Sequence, residues 1–255
     1  MKTVKANNVN NSFKFGANYF DSKMIDSLHL SFGRNGYVKL PGLIALPTFN
    51  LLKAEVQRLS GIAIERNFVM QGYESPRIMT TLGGQQIAEN SELLKNFYGN
   101  QKLRSVLSGI VGSPLFDCPD VNEWCVSTWL NGEGQTHGHH LDDPPIALIV
   151  IIEAPPPELG GFLEVVTDWR EIARIFEQDP ERNVLPLVNK LRNINLVQVK
   201  THITGDAYLL RADQCLHAVA PLRGRETKRS ILNMAFELEP NIARRSETAA
   251  ALFET

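Results

Sequence analysis

The chain has no run approaching the ~20 consecutive apolar residues that a membrane-spanning helix needs. It also has no excess of either charge: 26 Lys and Arg stand against 28 Asp and Glu, a net of -2 over 255 residues. That balance gives no electrostatic reason to expect nucleic acid or an anionic membrane as a partner. Cysteine is scarce. Cys118, Cys125 and Cys215 are odd in number and follow no CxxC spacing, so each reads as a small buried hydrophobe in a reduced compartment. HExxH is absent, which excludes the common zinc-protease helix. The N-terminal stretch is polar and Asn-rich with no apolar segment after it, so a secretion signal is not expected and a cytoplasmic location is. Internal repeats and low-complexity linkers are missing too, and one domain spanning 1–255 is the expectation.

What is present falls into two halves. Residues 1–120 read as a mostly helical support layer. Ser22 to Phe32 spaces Met24, Ile25, Leu28 and Phe32 at helical intervals, and Thr48 is expected to cap a second helix with Phe49, Leu51, Leu52, Val56 and Leu59 as its apolar stripe. Gly36 to Ile44 reads as a short strand with a Pro-Gly turn, and Ser91 to Ser108 as a helix interrupted at Gly99. From Glu123 the character changes: EWCVSTWL, IALIVII, FLEVV, LVQVKTHI, AYLLRA, HAVAPL and SILNMAFEL are β-rich runs separated by turn-formers. Helical insertions are expected at Asp168 to Phe176 and around Leu185 to Leu191, and a surface helix over Pro240 to Phe253 (240–255 closing the chain). The fold class is therefore mainly β with helices: a jelly-roll core over 121–239 under an N-terminal helical layer.

The chemistry concentrates in one segment. His137-Gly138-His139-His140-Leu141-Asp142-Asp143 holds three of the chain's six histidines and two carboxylates. In a strand, residues i and i+2 share a face, so His140 and Asp142 can ligate one ion from one side. His217, after the strand AYLLRA, is the natural third ligand. Two imidazoles and one carboxylate that leave open positions suit ferrous iron, although zinc competes for any such cluster. The spacing alone is common by chance, and a lone histidine is more often a surface or packing residue.

The wider order of motifs is more specific. His140-x-Asp142 is followed by IALIVII, Gly160-Gly161-Phe162-Leu163, Gly205-Asp206-Ala207-Tyr208-Leu209-Leu210, His217-Ala218-Val219-Ala220-Pro221 and Arg229-Ser230-Ile231. Over about residues 123–238 this resembles the iron(II)/2-oxoglutarate dioxygenase superfamily, whose fold is a cupin-like double-stranded β-helix. The resemblance implies Fe(2+) held by His140, Asp142 and His217, with 2-oxoglutarate and dioxygen as co-substrates. It also implies an arginine on the last core strand for the 2-oxoglutarate tail. Arg229 is preferred to Arg225 there because it shares strand parity with Ile231 and Asn233, and a guanidinium grips a carboxylate with paired hydrogen bonds.

A narrower match adds Pro76-Arg77, Glu123-Trp124 and Leu232-Asn233-Met234. Together with the histidine cluster these are similar to the free-amino-acid radical halogenases, which act on lysine and related amino acids and include hydroxylating relatives. The halogenases carry glycine where this chain has Asp142, so the resemblance points to the hydroxylating branch. Its implied substrate is a small free amino acid, lysine or another cationic one. Arg77 would then clamp the α-carboxylate, Glu123 and Asp143 would hold ammonium groups, and His137 and Asn233 would add hydrogen bonds. Each of these has a plainer reading as a solvated residue or structural ion pair. His139, on the opposite strand face from His140, reads as a supporting residue. His29 and His202 read as surface or packing residues, and Trp124, Trp129 and Trp169 as core. Alternatives from the same residues are a dioxygenase or halogenase acting on another small metabolite or peptide side chain, and a non-catalytic jelly-roll binding module. A homo-oligomer is compatible with all of these.

Overall fold

The structure is a computed structural model that describes residues 13–242 and 251–253. Twelve antiparallel strands form one curled sheet, ordered β1-β10-β7-β12-β5-β3-β6-β11-β8-β9, with β2 added to β3 and β4 to β12. The strands are β1 Tyr37–Lys39, β2 Ile64–Met70, β3 Ser75–Leu82, β4 Phe116–Asp117, β5 Cys125–Asn131 and β6 Thr136–His140. They continue as β7 Ile146–Glu153, β8 Leu163–Val166, β9 Gln198–Lys200, β10 Ala207–Arg211, β11 Leu216–Val219 and β12 Lys228–Glu237. This is the expected jelly roll, in which the curl turns one face of every strand inward.

The run IALIVII becomes β7, and its lack of alternation has a direct cause. Ile146, Leu148, Val150 and Ile152 pack against the helical layer, while Ala147, Ile149 and Ile151 face the barrel interior. A strand covered on both sides needs apolar residues at every position. The helices over its outer face are α1 Ser22–Asn35, α2 Leu46–Leu59, α3 Gly84–Asn90, α4 Glu92–Tyr98 and α5 Gln101–Val111. α1 ends at Gly36, whose φ of +59° is the left-handed cap a glycine supplies without strain. α6 Trp169–Ile175 and α7 Leu185–Asn193 occupy the expected insertions and cover the other side with Trp169, Leu187, Val188 and Leu191. No helix among the described residues is long and apolar enough to cross a membrane.

Several local expectations are corrected. α2 starts before Thr48, with Ala45 at its cap position and Pro47 in its first turn. Thr48 is buried and its Oγ1 accepts from the Lys14 amide at 2.6 Å, tying down the preceding chain rather than its own helix. The short strand and Pro-Gly turn expected over Gly36 to Ile44, by contrast, are present as β1 and the turn at Pro41-Gly42. The interrupted helix over Ser91 to Ser108 is two helices, α4 and α5, capped by Ser91 and by Asn100, whose side chains accept from the Leu94 and Leu103 amides. The larger difference is the β2–β3 hairpin, which sits in the part expected to be mostly helical yet enters the sheet between β5 and β6. The inward positions of β3 include Ser75 and Arg77, both fully buried, so its polar inner face lacks the apolar alternation that marks a strand. Trp129 and Trp169 are core, while Trp124 is half-buried against Tyr98. Of the helix expected over Pro240 to Phe253, only residues 251–253 can be described as helical; 243–250 lie outside the described residues.

Candidate metal centre and pocket

β6 and β11 lie side by side, and their register sets His140 directly opposite His217. The next pair, His137 with Val219, requires a bulge, because β6 advances three residues while β11 advances two. Residues three apart on a regular strand point to opposite faces. The bulge cancels that inversion, so the His137 and His140 rings stack with centroids 4.2 Å apart and 21° between planes. Gly138 lets this happen: a Cβ there would stand 2.8 Å from the carbonyl oxygen of Pro76 on β3.

Asp142 lies just beyond the end of β6. Its amide donates to the Ala212 carbonyl at 3.0 Å, which keeps the chain alongside its neighbour and returns the carboxylate to the His140 side. Asp142 Oδ1 is 3.2 Å from His140 Nε2 and 3.6 Å from His217 Nε2, and one donor atom from each residue falls within 4.8 Å of the others. Donors held about 2.1 Å from a divalent ion and at right angles around it stand about 3 Å apart, so this spacing fits a facial triad. Protonation fits as well. His140 Nδ1 is 2.8 Å from the Gly138 carbonyl and His217 Nδ1 is 2.9 Å from the Cys215 carbonyl. A carbonyl only accepts, so each Nδ1 carries the proton and each Nε2 offers its lone pair to the centre. Burial pushes His140 down to about 4, with His217 adding to the effect. Burial alone would raise Asp142, but His217, His140 and Arg77 hold it below its ordinary value. Two imidazoles and an ionised carboxylate are the donor set a ferrous ion takes.

A pocket opens from this centre, lined among others by Glu123, His137, Asp143, Tyr208, Asn233 and Phe253. Of the residues expected to touch substrate, Glu123, His137, Asp143 and Asn233 therefore meet in one cavity. Arg77 is not on the wall but behind it: it pairs in register with His137 and is fully buried. Its Nη1 donates to Ser75 Oγ at 2.9 Å and to the Gly138 carbonyl at 3.1 Å. Its Nε and Nη2, His137 Nε2, Asn233 Oδ1 and Arg229 Nη2 are buried with no hydrogen-bond partner among the described residues. Unpaired polar atoms cost about 1–3 kcal/mol each, and a polar ligand would satisfy them.

Arg229 is 3% exposed, whereas Arg225 lies exposed on an outer groove. Burial pulls the pKa of this guanidinium below the ordinary arginine value, with the neighbouring Tyr208 opposing the shift. Sequence reasoning does not single out Tyr208, because an aromatic in a strand reads as core; its inward parity beside Ile149 is the available signal. His139 points away from the centre, with Nε2 at 3.1 Å from Glu164 Oε2. His29 is an exposed residue on α1 whose Nδ1 lies 3.1 Å from the Ile110 carbonyl. All three cysteines are free and buried.

Comparison with curated protein sequences gives no match. Solved structures resemble the chain throughout its length at low identity. A prolyl hydroxylase of Trichoplax adhaerens, in complex with a hypoxia inducible factor peptide, is 13% identical with a TM-score of 0.59 over 87% of this chain and 96% of its own. EctD from S. alaskensis with bound Fe is 12% identical with a TM-score of 0.62, over 92% and 83%. The non-heme, alpha-ketoglutarate-dependent epimerase SnoN of nogalamycin biosynthesis is 15% identical with a TM-score of 0.58, over 89% and 92%. These likenesses establish the fold. The family model of halogenase D matches residues 20–254, and with a donor triad in place on an oxygenase fold, the chain belongs to the halogenase D family of enzymes.

Proposed function

We propose that this enzyme hydroxylates an unactivated C–H bond of a free amino acid, lysine or a related cationic one, with ferrous iron, 2-oxoglutarate and dioxygen. The observation that carries the reading is a set of buried, unpaired polar atoms at the metal-competent pocket: His137 and Asn233 on its wall, Arg77 behind His137, and Arg229 beside the wall residue Tyr208. A zwitterion and a dicarboxylate supply the missing partners. His140, Asp142 and His217 hold the iron, which when bound supplies the oxygen chemistry that no side chain can. Arg229 grips the distal carboxylate of 2-oxoglutarate, and Arg77 turns its free Nε and Nη2 to the substrate's α-carboxylate. Glu123 and Asp143 receive the ammonium groups, with His137 and Asn233 fixing orientation. The low-dielectric walls, Ile149, Ile231 and Leu163 among them, keep water from the reacting carbon. Free amino acids and 2-oxoglutarate are cytoplasmic metabolites, which supports a cytoplasmic setting for the reaction.

The family description favours a second reading, halogenation. Asp142 favours hydroxylation, because its carboxylate fills the place and supplies the charge that a halide ligand would need. Incubating the iron-loaded protein with each of the twenty free amino acids and measuring stimulated succinate release tests the reading. A cationic amino acid should give the largest stimulation. Stimulation by none would remove free amino acids as the substrate class.

A further inference from the structure

Behind Arg229 and the pocket-wall residue Tyr208 lie two further rings, His202 and Tyr37, with no part in the site described so far. The loop between β9 and β10 carries His202 inward, 8% exposed. The loop is held at both ends. Lys39 Nζ sits 2.7 Å from Asp206 Oδ2, the same oxygen accepts the Ile203 amide at 2.7 Å, and Thr204 Oγ1 accepts the Ala154 amide at 3.1 Å. His202 is thus presented by a fixed frame. Its ring stacks on Tyr208 with centroids 4.6 Å apart and 23° between planes, and its Nε2 is hydrogen-bonded to the Tyr37 hydroxyl at 2.9 Å. Tyr37 faces Leu210 across the β1–β10 ladder, two residues from Tyr208. That spacing puts both tyrosines on one face, with their ring centroids 5.6 Å apart. Tyr208 in turn lies beside Arg229, and each acts on the other's charge state: the tyrosine favours the charged guanidinium against the pull of burial. Beyond Arg229, His202 also walls a narrow cleft with Gly160, Gly161 and Phe162.

The chain of contacts runs Tyr37, His202, Tyr208, Arg229, and each link constrains the next. A tyrosine side chain free to change its χ1 rotamer would carry its hydroxyl off the guanidinium. A second ring stacked on its face and pinned by its own hydrogen bond removes that freedom. We propose that His202, fixed by Tyr37, is a positioning residue for the co-substrate subsite: it holds Tyr208 against Arg229 so that the guanidinium presents its open Nη2 to the distal carboxylate of 2-oxoglutarate. This rests on the reading that Arg229 receives that carboxylate. Burial, with the Arg229 and Lys39 cations, pushes His202 down to about 3, so the imidazole adds no second positive charge beside Arg229 at neutral pH.

The test is anaerobic titration of the ferrous protein with 2-oxoglutarate, followed by the visible charge-transfer band of the complex. Calorimetry with succinate, which carries a like carboxylate, provides a metal-independent check. An aromatic pair is worth about 0.5–1.5 kcal/mol, so His202→Ala should weaken 2-oxoglutarate binding about three- to tenfold. His202→Phe, which keeps the ring, should restore most of that, and Tyr37→Phe should fall between. Ferrous iron affinity should be unchanged in all three. If Arg229→Gln loses 2-oxoglutarate while His202→Ala and Tyr37→Phe bind it as the native protein does, the positioning role falls and the Arg229 reading stands. If Arg229→Gln itself binds normally, both fall. Should His202→Ala fail to fold, His202→Phe and Tyr37→Phe decide the matter: unchanged binding in Tyr37→Phe overturns the proposal.

Discussion

His139 and His140 are neighbours on β6, 4% and 6% exposed, yet they face opposite sides of the sheet. His139 meets Glu164, whose carboxylate is also bound by Arg192 at 2.6 Å. That trio is complete, because the anion already has its cation. His140 meets a carboxylate and a second imidazole, and its Nδ1 is occupied by a carbonyl so that its lone pair points at both. This group brings one donor atom from each of His140, Asp142 and His217 within 4.8 Å of the others. Burial therefore does not distinguish a ligand histidine from a structural one. The partner of the second ring nitrogen and the charge left unbalanced do.

The sharpest way to break this comparison is to remove the rings in turn. His140→Ala and His217→Ala should abolish turnover and weaken ferrous iron by more than the roughly 10–100-fold that loss of an outer partner costs. The melting temperature of the metal-free protein should barely move, since the jelly-roll core does not contain the ion. His139→Ala should keep its iron. Full activity in both ligand variants would end the triad assignment.

Asp142 comes next. The native enzyme in chloride buffer under ¹⁸O₂ should yield a hydroxylated amino acid carrying the label, and Asp142→Gly should lose that product. Mass spectra dominated by an unlabelled chlorinated species from the native enzyme would reverse the choice between hydroxylation and halogenation.

Smaller effects are expected on the pocket wall. A charge-assisted hydrogen bond in a desolvated site is worth roughly 1.5–3 kcal/mol, so Glu123→Gln and Asp143→Asn should each raise the substrate requirement about ten- to a hundredfold. The requirement for 2-oxoglutarate should not change. Saturation curves identical to the native enzyme's in both variants would return these residues to a structural role.

The least effect concerns the outer trio and appears only as stability. Burial would raise the Glu164 carboxyl, but His139 and Arg192 outweigh it and hold it at about 2, below its unfolded value of about 4.3. A depressed carboxyl contributes stability that is full above the unfolded value and is lost as the pH falls through the folded one. Glu164→Gln should therefore destabilise by roughly 1.5–3 kcal/mol at neutral pH, with the difference from the native protein vanishing near pH 2 and iron binding unaltered. Denaturant melts across that range that show a constant difference would count against the pairing.

The amino-acid sequence by itself determined the jelly-roll class, because strands buried on both faces, such as β7, must be apolar throughout. It also pointed to His140, Asp142 and His217, because metal chemistry demands those residue types and they are rare in this chain. Only the tertiary structure decided three other matters. The β2–β3 hairpin was hidden because a strand whose inner face carries Ser75 and Arg77 violates the pattern by which strands are read. The alignment of His137 with His140 depends on a bulge, a backbone irregularity with no residue code of its own beyond a glycine that fits beside Pro76. Strand parity already favoured Arg229 over Arg225, but its burial, and the stacking of His202 on Tyr208 beside it, are visible only in the fold. Those properties arise from strands and loops brought together across the fold, and no local sequence pattern specifies them.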